Sequence, residues 1–200
     1  MRRKVERTPQ DIALHDAARM GDLAAAREAI ASGADVNSQD EEHYTTPLQW
    51  ASSFGQTDVA RFLLDAGGEV NEMDENGDTP LSNAVDGGHL EIVRLLLERG
   101  ADLTVEDGSG RPPLFSAIMR ERQDLVMLLL QAGADVNYRI HNGATPLMEA
   151  AEIGNLDLIQ LLIQSGANVT HADGDRRTAA DYARDAEHYA AAAFLEDASV

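Results

Sequence analysis

The chain has 200 residues, 44% of them hydrophobic and only 4% aromatic, which supports a continuous aliphatic core in one large domain or an elongated array. It has no cysteine, which excludes disulfides, thiolate nucleophiles and cysteine-based zinc sites. Its net charge of −19, with Lys4 the only lysine, repels phosphate backbones and argues against a nucleic-acid partner.

The N-terminus, MRRKVERTPQ, has a basic start but no apolar stretch behind it, so it does not read as a secretory signal. Residues 1–10 are expected to be a flexible terminus, with Thr8-Pro9 opening the first helix. Apolar runs such as Leu95-Leu96-Leu97 are too short to cross a bilayer. The expectation is a cytoplasmic, monomeric protein with no membrane contact.

Self-similarity dominates the rest. Leu48, Leu81, Leu114 and Leu147 recur at a constant step, each within Thr-Pro-Leu or a near copy, and Thr178-Ala179-Ala180 is a worn fifth. Gly67, Gly100, Gly133 and Gly166 keep the same step. Gly33 precedes Gly67 by one residue more, which places an insertion within residues 39–44. In each unit Thr46, Thr79 or Thr145 is positioned to N-cap a helix whose first residue is proline. A short alanine-containing helix follows and breaks at Gly21, Gly55, Gly88 or Gly154. A second helix carries an apolar stripe, for example Leu90, Ile92, Val93, Leu95, Leu96 and Leu97. Asp58, Glu91, Asp124 and Asp157 suit the positive end of its dipole, and the recurring glycine closes it. The polar remainder, such as residues 74–78, is turn chemistry and should form a hairpin-like finger.

The Thr-Pro-Leu tripeptide, "GHLEIVRLLLERGADL" and "GADVN" together resemble the ankyrin-repeat family over residues 10–197. The resemblance implies an all-α solenoid of helix-turn-helix units with short hairpin-like loops and no cofactor. Six units are expected over 11–200 as a single domain: 11–40, 41–73, 74–106, 107–139, 140–172 and 173–200. Two departures bear on packing. The family's Thr-Pro-Leu-His histidine survives only as His15 and is replaced by Gln49, Ser82, Phe115 and Met148, which puts the usual polar contact between repeats in doubt. Glu121 replaces a turn glycine, so a distorted turn is expected there. Alanines at 190–193 fit a terminal cap whose outer face meets water.

No residue pattern argues for catalysis. Gly87-Gly88-His89 looks site-like but falls at the inter-helix turn. The six histidines have no metal spacing. Residues 74–78 lack the glycine and glutamate positions of a calcium loop, and Gly108-Ser109-Gly110 lacks the lysine of a phosphate-binding loop. The expectation is therefore a non-enzymatic protein-binding module with no catalytic, cofactor or metal residues.

Fingers and first-helix faces are free of packing duty, and the resemblance implies that partners dock there. In the second unit these positions carry Glu42, His43, Tyr44, Trp50, Ser53 and Phe54; in the third, Glu75, Asn76, Asp78 and Asp86. The fourth unit offers Arg111, Met119, Arg120 and Arg139, and the fifth His141 and Ile153. Aromatic and arginine side chains are the types enriched at binding hot spots. Trp50 reads equally as core or interface. The third unit has eight acids against Arg94 and Arg99, which is compatible with a basic partner and equally with a solvated acidic surface. The alternative is an inhibitor or immunity protein that neutralises a basic toxin or enzyme; a ligand-binding or catalytic repeat protein ranks below both.

Overall fold

A computed structural model describes residues 7–199 and gives twelve helices, with no strand among the described residues. Residues 1–6 of the terminus expected to be flexible lie outside the described residues, and the first helix is already under way at Pro9. The chain forms two compact bodies, Met1–Gly108 and Ser109–Val200.

The first body stacks three helix pairs: α1 (Pro9–Met20) with α2 (Leu23–Ala31), α3 (Pro47–Ser53) with α4 (Thr57–Asp65), and α5 (Pro80–Gly87) with α6 (Leu90–Glu98). The second holds α7 (Pro113–Met119) with α8 (Gln123–Gln131), α9 (Pro146–Ile153) with α10 (Leu156–Gln164), and α11 (Ala179–Asp185) with α12 (Tyr189–Asp197). This is the expected all-α solenoid of paired helices. Leu48, Leu81, Leu114 and Leu147 occupy equivalent buried places in α3, α5, α7 and α9.

The inner helices begin where local chemistry dictates. The Thr8, Thr46, Thr79, Thr145 and Thr178 hydroxyls each accept the amide hydrogen of the third helical residue, satisfying a donor that the helix leaves open. Removing one such cap typically costs about 1 kcal/mol. Pro112 stands at this position in α7 and provides no side-chain cap.

Polar contacts between repeats survive the loss of histidine, contrary to the doubt raised by the sequence. The Gln49 side-chain amide donates to the Asp78 carbonyl at 2.6 Å. The retained histidine works within its own unit, where His15 Nε2 donates to the Ser38 carbonyl at 3.0 Å. Asparagine adds a second set of links. Asn37 donates to the Gly67 carbonyl and accepts from the Glu69 amide; Asn71 does the same with Gly100 and Asp102, and Asn137 with Gly166 and Asn168.

The glycine-glycine-histidine stretch has a packing explanation. His89 Nε2 donates to the Ser53 carbonyl at 3.1 Å. Its ring lies so close to the preceding turn that a Cβ at Gly55 would stand 2.7 Å from it, and one at Gly87 only 2.4 Å. His89 is part of the wall.

The turn at Glu121 is not distorted. Glu121 adopts φ 54°, close to the 73–78° of Gly21, Gly55, Gly88 and Gly154, and keeps the pair of backbone hydrogen bonds seen at Gly88. The fold imposes a left-handed conformation on a residue that disfavours it. Glu121→Gly is therefore expected to stabilise the protein by about 0.5–1 kcal/mol, raising Tm by about 2 °C. Glu121→Asn, whose residue type tolerates this region, should fall between the two in a thermal melt. A lower Tm for the glycine variant would show that the exposed Asn155–Glu121 hydrogen bond outweighs backbone strain.

Candidate interaction surface

In the first body the residues singled out from the sequence come together around Trp50. Its indole Nε1–H donates to Asp40 Oδ2 at 3.1 Å. Asp40 Oδ1 also accepts from the His43 amide at 2.8 Å and the Thr45 amide at 3.4 Å. Burial pushes the Asp40 carboxyl up, but these three donors outweigh it and hold its pKa below the ordinary value. A buried anion thus fixes the indole, and Trp50 is half-buried: neither core nor free.

Phe54 stacks on Trp50 with ring centroids 5.8 Å apart and remains 47% exposed. The Arg19 guanidinium lies over both rings, 4.8 Å from the Trp50 centroid and 5.9 Å from that of Phe54. Met20, which holds in the first unit the register position of Phe54, is 81% exposed. The ends of α1 and α3 therefore present an apolar ridge with a cation laid across it.

The fingers close the other side. His43 Nδ1 and Glu75 Oε1 are 2.5 Å apart, and the Glu75 amide donates to the His43 carbonyl at 2.9 Å. The bond to Glu75 is the main cause of a raised His43 pKa, and Glu42, 3.8 Å from the ring, adds to it. Tyr44 takes φ 58° at the finger position where Gly77, Gly110 and Gly143 stand, and Arg176 takes φ 64° at the same place in the last unit. A bulky aromatic in that region is strained.

Between ridge and fingers lies an open pocket of about 220 Å³. Its walls include His43, Trp50, Ser53, Asn76 and Asp78 from the sequence-predicted set, joined by Thr45, Gln49, Asp74 and Asn83. Burial raises the Asp78 pKa, and the carboxylates of Asp74, Asp107 and Asp86 add to the rise.

The second body treats its candidates differently. An Arg111 nitrogen contacts the Met119 sulfur, and Arg111 lies 3.8 Å from Glu149, a carboxyl whose pKa is raised by burial. Arg139 donates to the Ala172 carbonyl at 2.7 Å and so holds the following turn. Arg120 and His141 are exposed, and Ile153, in the register of Phe54, is half-buried. None of these residues lines the pocket beside Trp50.

Arg19, Asp40, Asp74 and Asn83 are parts of the surface that the sequence reading did not single out. The register contained a signal for Arg19, which occupies in the first unit the place of Ser53 in the second, beside the aromatic pair. Asp40 lies within the inserted segment, where repeat alignment loses its footing. Among the described residues no group of three or more His, Asp or Glu is placed to hold a metal ion, and no helix is long and apolar enough to cross a membrane.

Comparison with known proteins agrees with this architecture. Family models described as ankyrin repeats match residues 14–107 and 114–163. The chain is 38% identical over 64 residues to the ARF GTPase-activating protein Git of Drosophila melanogaster, covering 32% of this chain and 9% of that protein. It is 36% identical over 66 residues to human protein phosphatase 1 regulatory subunit 27, covering 33% and 42% respectively. It is 34% identical over 62 residues to the human DNA-binding protein RFXANK, covering 31% and 24%. The chain thus spans less than half the length of each of these relatives.

Proposed function

The chain belongs to the ankyrin-repeat family, and from that premise we propose that it is a non-catalytic module that binds a protein partner through its fingers and inner-helix faces. The observation that carries this reading is the exposed ridge of Met20 and Phe54 beside a fixed Trp50, on helices whose other faces are already packed. Exposed apolar groups gathered beside a pocket, rather than scattered, mark interaction surfaces. The regulatory-subunit name of one relative supports an accessory role. A net charge of −19 argues against the DNA binding named for another.

The partner is a basic protein, and the module acts as a cytoplasmic monomer. The acidic third unit and the Asp78 pocket favour this over a neutral partner. The same feature favours a second reading, in which the partner is a basic enzyme or toxin and binding inhibits it.

The test begins with affinity capture of the natural partner and quantitation of the complex. Phe54→Ala should weaken it by about thirtyfold, mainly through faster dissociation, because truncating a hot-spot aromatic costs about 2 kcal/mol or more. Glu75→Lys combined with Asp78→Lys should instead slow association at low salt. Wild-type rates in both variants, with helicity retained by circular dichroism, would move the contact surface to the outer helices. Inhibition of a captured enzyme at stoichiometric module would select the second reading.

A further inference from the structure

The proposed protein-binding role leaves the chemistry of the contacting segment open, and the ridge and pocket in the first body narrow it. We infer that this surface receives a partner segment in which an arginine neighbours a large apolar side chain, the apolar group lying on Phe54 and Met20 and the guanidinium entering the pocket beside Trp50. This deepens the protein-binding reading and rests on it.

Three observations converge. The ridge leaves Phe54 and Met20 exposed on the ends of adjacent helices α3 and α1, although the Arg19 guanidinium lies 5.9 Å from the Phe54 ring centre. The pocket that adjoins it shares Trp50 and is lined by Asp74, Asp78, Asn76 and Asn83, with no arginine or lysine, and its one basic group, His43, is bonded to Glu75. Among the described residues no cation forms an ion pair with Asp78: the charges that act on it are the carboxylates of Asp74, Asp107 and Asp86, and burial adds to their effect. A half-buried carboxylate surrounded by other carboxylates gains most from an incoming cation.

Arginine fits better than lysine. Its planar guanidinium offers several hydrogens in a fixed fork to carboxylate and amide oxygens. The Trp50 ring is already occupied, by Phe54 stacked on it and by the Arg19 guanidinium 4.8 Å from its centre, so the incoming guanidinium is held by the Asp74 and Asp78 carboxylates at the indole's edge. Trp50 is also the only tryptophan, so its indole is a single-site reporter.

The experiment follows the Trp50 indole N–H resonance of the full chain during titration with acetyl-Gly-Leu-Arg-Gly-amide. Comparison peptides replace arginine by citrulline, which keeps the shape but not the charge, or leucine by alanine. A saturable shift is expected with the arginine peptide, weakened at least tenfold by citrulline and severalfold by alanine, and reduced by 0.5 M NaCl. Asp78→Asn should reproduce the citrulline loss, whereas Asp58→Asn, which removes the same charge from the exposed first turn of α4, should not. Equal shifts with arginine and citrulline peptides, equal effects of the two Asp variants, or no Trp50 response would overturn the inference. The two failures separate cleanly. A natural complex lost in Phe54→Ala but unchanged in Asp78→Asn keeps the protein-binding reading and removes the arginine pocket.

Discussion

Leu96→Ala is expected to cost the first body about 2–5 kcal/mol, read as a lower denaturation midpoint in urea. Leu96 is fully buried in α6, the second helix of the third unit, and fills the same register place as Leu63 in α4. A stack of repeats buries each apolar stripe only against its neighbours, so stability is a sum of unit and interface terms. Removing three carbons from such a place leaves a void that short helices, each pinned by a cap and a turn, cannot close. The ends of the array behave differently because less was put there. Ala26 and Ala29 line the first unit, while Ala191 and Ala192 stand in the last where Ile92 and Val93 stand in the third. Leu195→Ala, in the terminal helix α12, should therefore cost clearly less than Leu96→Ala. Equal costs would mean that stability is not distributed by interfaces, and an unchanged midpoint for Leu96→Ala would remove α6 from the core.

How far the sequence could be read depended on the range of the physics involved. Thr46, Thr79 and Thr145 cap their helices because the interaction spans three residues, and a three-residue rule is visible in any sequence. The buried leucines were legible through repetition, since each copy votes for the same register. Glu121 shows where local rules fail: its own preference argued for a broken turn, but the flanking helices impose the left-handed conformation regardless. Gln49 shows the converse, with a residue that looked like a lost contact reaching the Asp78 carbonyl 29 positions away. Trp50 could not be placed from sequence because its position depends on Asp40 in an inserted segment and Arg19 in another unit. Fingers and first-helix faces were expected as regions, but Met20 and Arg19 at the end of α1 were not singled out. The pocket, which needs side chains from two fingers and two helices at once, was not foreseen.

Acidification should destabilise the first body through His15, by about 2 kcal/mol between pH 7.5 and 5.0. The ring is buried in α1, with Nε2 bonded to the Ser38 carbonyl. That acceptor fixes the proton on Nε2, leaving Nδ1 buried with no hydrogen-bond partner among the described residues. Burial, reinforced by the Arg7 charge, lowers the His15 pKa to about 4, against the pull of the Ser38 carbonyl and the Asp40 and Asp11 carboxylates. The unfolded chain titrates near 6.5, so below that value it binds a proton that the folded chain refuses. The contribution is complete above pH 6.5, declines as pH falls, and is exhausted near pH 4. Other groups act in the opposite sense. Asp78 and Glu149, whose pKa values are raised by burial, gain stability on protonation, as does His43 through Glu75. A bare pH profile therefore mixes signs, and the His15 part must be taken as a difference. His15→Gln supplies it, because Gln49 shows that an amide at this register place can donate to a backbone carbonyl of the neighbouring repeat. Urea unfolding followed by Trp50 fluorescence should give similar stability for variant and wild type at pH 7.5. At pH 5.0 the variant should be the more stable by about 2 kcal/mol. Parallel profiles for the two proteins across that range would mean that His15 takes up its proton in the folded state and that its burial has no bearing on acid stability.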